Sequence, residues 1–321
     1  MSVQWFPGHM HATRKAITER MKQGIDVVIE LLDARLPGSS CNPLLAELTA
    51  GKPSLKVLNK QDLADADRTA RWLAHYRAQH ETGALALDAS ERAPAARLAE
   101  GCRALAPLRG GMDKPLRILI CGVPNVGKST LINTLVGKKA TKTGDVAGVT
   151  RNEQRITLAS DAYLFDTPGM LWPKITVPKS GFHLAASGAV GANAYDEQEV
   201  ALELLETLQP HYAAVLQSRY GLKESPEEVA ALPSERLLEA IGRRRSAVRA
   251  GGVVDLHKAA EVLIADFRAG AMGRITLETP EELAAWRVKA EAEEAARLAR
   301  KQALKEAGLI RVRKPKAEPQ G

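Results

Sequence analysis

Aromatic residues make up only 4% of the 321-residue chain. Proteins that grip unpaired bases by stacking carry more of them, so any nucleic-acid contact here is expected to run through phosphates and shape. Cysteine is scarce too. Cys41, Cys102 and Cys121 stand alone with no C-x-x-C spacing, which excludes a disulfide framework and a zinc ribbon and fits buried thiols in a reducing compartment. No apolar run approaches the roughly 20 residues of a membrane span. The first residues, Met1 to His9, lack a basic flank followed by an apolar stretch, so no signal peptide is expected. There is no internal repeat.

What is present is a hydrophobic content of 45%, enough for a sizeable core, a length that predicts two domains, and a formal charge of +7. The positive balance favours an anionic partner such as nucleic acid.

Hydrophobic patterning predicts a basic helix over 10–24 and strands at 25–32, 55–58, 84–87, 116–121, 155–158 and 163–165. Helices are predicted between them near 43–50, 65–80, 92–106 and 129–136, with Trp72, Leu73 and Tyr76 on one face of the second. A Pro37-Gly38 turn follows Asp33-Ala34-Arg35. Alternating strands and helices imply a mostly parallel α/β sheet flanked by helices. From about residue 178 the pattern becomes helical, over 196–220, 225–250 and 255–269. The expected domains are a basic N-terminal segment (1–24), an α/β domain (25–177), a smaller all-helical domain (178–284) and a charged helical or disordered tail (285–321).

Gly122-Val123-Pro124-Asn125-Val126-Gly127-Lys128-Ser129 fits G-x-x-x-x-G-K-[ST] at every fixed position, between an apolar strand and a helix. Such a loop aims backbone N–H groups at phosphates from a helix N-terminus. In it Lys128 is assigned to the β- and γ-phosphates and Ser129 to Mg²⁺; Val126, Gly127 and Thr130 complete the loop. Asn59-Lys60-Gln61-Asp62 ends another strand. The Asp62 carboxylate can accept from both N1–H and the 2-amino group of guanine, a donor pair adenine lacks. Lys60 is expected to lie along the base, and Asn59 to tie its loop to the phosphate loop. Asp166-Thr167-Pro168-Gly169 ends a further strand, placing Asp166 on the Mg²⁺ side and the Gly169 N–H at the γ-phosphate. Thr150 is the candidate threonine closing over Mg²⁺. The guanine-recognition element precedes the phosphate loop, whereas in ordinary GTPases it follows, so the order of parts is rotated.

In this order the motifs resemble the circularly permuted GTPases, and in particular the ribosome biogenesis GTPase A (YlqF-type) family. The likeness is carried also by Trp5-Phe6-Pro7-Gly8-His9-Met10, by Asp33-Ala34-Arg35-Leu36-Pro37, and by the pattern from Asp255 through Asp266-Phe267-Arg268 to Gly273-Arg274-Ile275-Thr276-Leu277-Glu278. It covers about residues 1–280. It implies a permuted P-loop GTPase fold, a cytoplasmic enzyme acting late in maturation of the large ribosomal subunit, and a helical domain that contacts ribosomal RNA. Met170 stands where many GTPases carry a water-orienting Gln. The resemblance implies that His9 substitutes for it, that Asn125 holds K⁺, and that Asp88-Ala89 form the second guanine-side loop. The family often has Pro where Ala147 stands.

RNA contacts are expected from Arg14, Lys15, Arg20 and Lys22 and from Arg243, Arg244, Arg245 and Arg249. The predicted partners are GTP or GDP and the large subunit with its RNA, with no membrane and a monomeric state. GTP hydrolysis is expected to be stimulated by the large subunit. The rotated order suggests that nucleotide state reaches the helical domain through the one connection after Gly169. A competing reading is a GTP-gated RNA-docking module in which turnover only resets binding. A third, an ATP-using P-loop enzyme, is opposed by Asp62.

Overall fold

A computed structural model describes residues 8–89, 94–111, 113–136 and 154–307. Among these residues six strands form one sheet: β1 (Val27–Asp33), β2 (Ser54–Asn59), β3 (Thr82–Ala86), β4 (Leu116–Gly122), β5 (Gln154–Ala159) and β6 (Ala162–Asp166), in the order β3-β2-β1-β4-β6-β5. All pairings are parallel except β5 with β6. Every residue of β1 is buried, as a parallel strand covered on both faces requires, and this explains its mostly apolar sequence, in which the buried Glu30 is paired with Lys56 of β2.

Helix α1 (His9–Lys22) precedes β1, and between the strands lie α2 (Pro43–Leu48), α3 (Ala66–Arg77), α4 (Pro94–Leu105) and α5 (Lys128–Val136). Local chemistry sets their starts. Asn42 caps α2 through Leu44 and Leu45 N–H with Pro43 just inside, and Asp65 caps α3. Strand pairing puts Asp33 beside Asn59, Leu31 beside Gly122 and Ile120 beside Asp166. Four carboxyl ends therefore open on one edge, where ligands of open α/β sheets bind.

The helical part comprises α6 (Pro178–Ser187), α7 (Glu197–Tyr220), α8 (Pro226–Ala231), α9 (Ser234–Arg244), α10 (Leu256–Arg268) and α11 (Pro280–Glu306). The single helix expected over 225–250 is two, because the Leu232-Pro233 step is extended and Pro233 cannot continue α8. Helix α6 escapes the sequence patterning: it is short and buried nearly all round, so no polar face marks its period. Helix α7 is kinked at Tyr212, two residues past Pro210.

Helix α11 starts at a Thr279–Glu282 capping box and runs through residue 285 without a break, so that expected boundary marks a change of composition and no change of fold. Before it, residues 275–279 form a strap on the α/β part. Ile275 N–H donates to Leu63 O (2.9 Å) and Leu277 N–H to Arg35 O (2.7 Å), while Trp72 Nε1 donates to Glu278 O (2.9 Å). Leu283 joins Leu32, Leu58, Trp72 and Tyr76 in a core of their own. Gly38 is more than a turn residue: a Cβ there would stand 2.3 Å from Leu283 Cδ2 and 2.4 Å from Trp72. A buried polar cluster closes the seam. The Glu278 carboxylate accepts from Ser39 N–H (2.5 Å) and lies 3.0 Å from His183 Nδ1, whose Nε2 is 3.4 Å from Thr207.

Candidate active site

The phosphate loop leaves β4 at Gly122 and enters α5 at Lys128. Its glycines are sterically fixed. A Cβ on Gly122 would come within 2.6 Å of Leu31 O, and Gly127 has φ +96° with Asn59 Nδ2 at 2.3 Å from where a Cβ would sit. Asn125 is also left-handed (φ 56°), a conformation Asn tolerates better than most residues.

Asn59 joins three loops. Its Nδ2 donates to Val126 O (2.8 Å) and its Oδ1 accepts from Ala89 N–H (2.9 Å). Thr134 on α5 fixes the same loop by donating to Ala89 O (2.7 Å). Lys60, itself at φ 63°, donates to Asn125 O (3.0 Å) and to Asp33 Oδ2 (2.8 Å). The expected tie between the guanine-side and phosphate loops is thus in place, doubled by Lys60. Asp62 lies exposed in a short 3₁₀ turn at Gln61–Leu63, available to a base edge; Asp88 is half-buried and Ala89 buried.

Lys128 is buried and its ammonium pairs with Asp166 Oδ1. Burial pushes the Asp166 carboxyl above its ordinary range, with Lys128 acting against it. The second oxygen, Oδ2, is buried with no hydrogen-bond partner among the described residues. That orphaned carboxylate oxygen, together with the hydroxyl of Ser129, half-buried at the start of α5, is a donor set suited to a hard divalent cation such as Mg²⁺. Thr130 is exposed one residue on.

Gly169 packs on the phosphate loop so tightly that a Cβ would lie 2.9 Å from Pro124 Cα. The next residue is pinned from both ends: Met170 N–H donates to Gly122 O (3.1 Å), and Met170 O accepts from Asn42 Nδ2 (2.7 Å). The Met170 side chain is fully buried, so this position is packing. Thr150 falls outside the described residues. His9 opens α1, but its side chain is likewise outside what is described.

Three residues had no assigned role in the sequence reading. Asn42 holds Met170; its Asn-Pro step signals only a helix start. Asp33 receives Lys60 together with Arg35 Nε (3.0 Å) and Nη2 (2.9 Å). Burial raises the Asp33 carboxyl pKa, but Arg35 and Lys60 outweigh it and hold the group well below the usual range. Arg35 Nη1 in turn donates to Phe267 O (2.9 Å) at the C-terminus of α10, with its guanidinium 4.7 Å from the Phe267 ring. Asn125 Nδ2 donates to Gly188 O (2.8 Å) at the end of α6. The helical part therefore meets the nucleotide loops at several points, which corrects the expectation of one connection after Gly169.

Of the arginines expected to meet RNA in the helical part, Arg243 pairs with Glu239, Arg249 with Asp255 and Arg245 with Asp266. Arg244 is exposed with no carboxylate partner among the described residues. Near the N-terminus Arg14, Lys15 and Lys22 are exposed and Arg20 half-buried.

A family model described as a 50S ribosome-binding GTPase matches residues 117–225. Ribosome biogenesis GTPase A of Bacillus cereus is 42% identical over 291 residues, covering 88% of this chain and 95% of the relative. Its counterpart in Priestia megaterium is 41% identical over 290 residues, covering 88% and 98%. A solved structure of YlqF from T. maritima bound to GNP shares the fold, with TM-score 0.55 at 23% identity over 84% of this chain and 98% of that one. No helix among the described residues is long and apolar enough to cross a membrane. A phosphate loop bound to an upstream guanine-side loop, on a permuted sheet and in a chain this similar to those relatives along most of its length, makes the protein a GTPase of the ribosome biogenesis GTPase A family.

Proposed function

We propose that this GTPase acts in late maturation of the large ribosomal subunit, binding ribosomal RNA in a GTP-dependent way, as a cytoplasmic monomer whose turnover the large subunit stimulates. The observation that carries the reading is the relay from Asn125 and Lys60 through Asp33 and Arg35 to the ends of α6 and α10. A base lying along Lys60 and phosphates under Asn125 bear on groups that also hold the helical part, so a nucleotide has differential contacts through which to bias it.

In this reading Asp62 selects guanine, Asn59, Lys60, Asp88 and Ala89 shape the base side, and residues 125–130 cradle the phosphates. Ser129, Thr150 and Asp166 hold Mg²⁺, which supplies charge neutralisation at the phosphates. Lys128 and the Gly169 N–H face the γ-phosphate, His9 orients water, and Asn125 contributes to a K⁺ site.

The test is co-sedimentation with each ribosomal subunit in a non-hydrolysable GTP analogue, in GDP and without nucleotide, alongside GTP turnover with and without particles. Large-subunit binding only with the analogue, plus faster turnover, is the expected result. Equal binding in all three states would remove the GTP-dependent reading. Slow, unstimulated turnover with GTP-dependent docking would favour the docking module instead.

A further inference from the structure

One cluster of cations lies away from the nucleotide loops. Side chains alternate along β strands, and the pairings Arg117↔Tyr163 and Arg155↔Phe165 put these four residues on one face of the sheet at its β5 edge. Helix α1 covers that face only in part, reaching it through Arg20, whose guanidinium lies 4.5 Å from the Phe165 ring centre. The Arg117 guanidinium is 5.5 Å from the same ring, and that of Arg155 is 5.1 Å from the Tyr163 ring. Together with Pro115 they line a shallow cavity of about 540 Å³.

Arg20 is engaged, its Nη1 donating to Gln23 Oε1 (2.8 Å). Neither Arg117 nor Arg155 has a carboxylate partner among the described residues. The acids on the flanking turns, Asp26 and Asp161, are engaged by Arg109 (3.0 Å) and Arg103 (2.6 Å). A cation on an edge strand such as β5 serves to deter strand pairing. That account does not reach Arg117, half-buried on the inner strand β4, where an unpaired charge is costly. Aromatic rings hold both guanidiniums in place and leave their N–H groups for another acceptor. A planar, weakly hydrated guanidinium prepaid in this way is the group that binds phosphate best.

We propose that Arg20, Arg117 and Arg155 form a docking surface for the sugar–phosphate backbone of RNA. This rests on the reading of the protein as an RNA-binding factor, and it places a contact on the α/β part in addition to the helical part. Arg117 lies five residues before Gly122, about 16 Å along the strand, so the surface is separate from the phosphate loop.

The double variant Arg117→Gln/Arg155→Gln tests it. Affinity for naked large-subunit ribosomal RNA is measured by filter binding from about 50 to about 200 mM KCl. Two lost phosphate contacts should lower the magnitude of the log K against log salt slope by about 1.4–1.8. Affinity at the low-salt end should fall about tenfold or more while basal GTP hydrolysis stays unchanged, and Arg→Lys at both positions should retain most of the slope. If the double variant fails to fold, exposed Arg155→Gln alone should lower the slope by about 0.7–0.9. An unchanged slope overturns the proposal, as does a photo-cross-linker at Pro115 that captures a ribosomal protein and no RNA in large subunits. Because the RNA is naked and no nucleotide is needed, loss of GTP-dependent particle binding would strike the functional reading and leave this measurement to decide the surface.

Discussion

Replacing Asn42 with serine separates a structural contact from a catalytic one. Serine caps a helix about as well as asparagine, so the α2 start held by Leu44 and Leu45 N–H is retained. What serine cannot do is reach Met170 O, 2.7 Å from Asn42 Nδ2. That carbonyl is then buried without its donor, a loss of about 1–3 kcal/mol. The same carbonyl belongs to the residue after Gly169, whose N–H is assigned to the γ-phosphate. If about 1–2 kcal/mol of the loss is felt in the transition state, kcat for GTP falls about 5–30-fold. GDP lacks the γ-phosphate, so its affinity should stay within about twofold. Single-turnover GTP hydrolysis, GDP titration and urea unfolding of the same variant read the three quantities. A variant with lowered stability but unaltered kcat, or one that loses GDP and GTP-analogue affinity equally, would refute the claim that Asn42 sets the γ-phosphate loop.

Three further outcomes follow from the geometry. Gly127→Ala meets both a left-handed backbone and Asn59 Nδ2 at 2.3 Å, so GDP affinity should drop at least about tenfold; near wild-type affinity in a fluorescence titration would mean that the loop relaxes freely. Arg35→Lys loses the fork onto Asp33 and the bond to Phe267 O, and should cost about 2–3 kcal/mol in chemical denaturation with earlier proteolytic release of the helical part; retention of both properties would contradict the relay. Asp33 is an acid whose folded pKa is depressed, so its contribution is complete above its unfolded value of about 3.9 and is lost as pH falls toward the folded one. Asp33→Asn should therefore lower stability at pH 7 and flatten the acid limb below about pH 4; an equal loss at pH 7 and pH 2 would show that the charge is irrelevant.

The sequence by itself determined the sheet and the parts of the nucleotide site that are contiguous in the chain. Near-continuous apolar runs such as Val27–Leu32, interrupted only by Glu30, read as strands buried on both faces, and Gly122–Ser129 and Asn59–Asp62 carry their chemistry in adjacent residues whose spacing the backbone fixes. Their order was enough to show the permutation. Tertiary structure alone decided how the two parts are joined. Arg35 and Phe267, Asn125 and Gly188, and Gly38 and Leu283 lie far apart in the chain, and nothing local in any of them names its partner. Helix α6 was hidden for the same reason: burial on nearly every side erases the polar face by which a helix announces its period. The same holds for the arginine face at the β5 edge, where Arg20, Arg117 and Arg155 come from three separate elements. Local sequence encodes what neighbours along the backbone can do, whereas long-range contacts depend on strand register and helix docking, which are set by the packing of the whole chain.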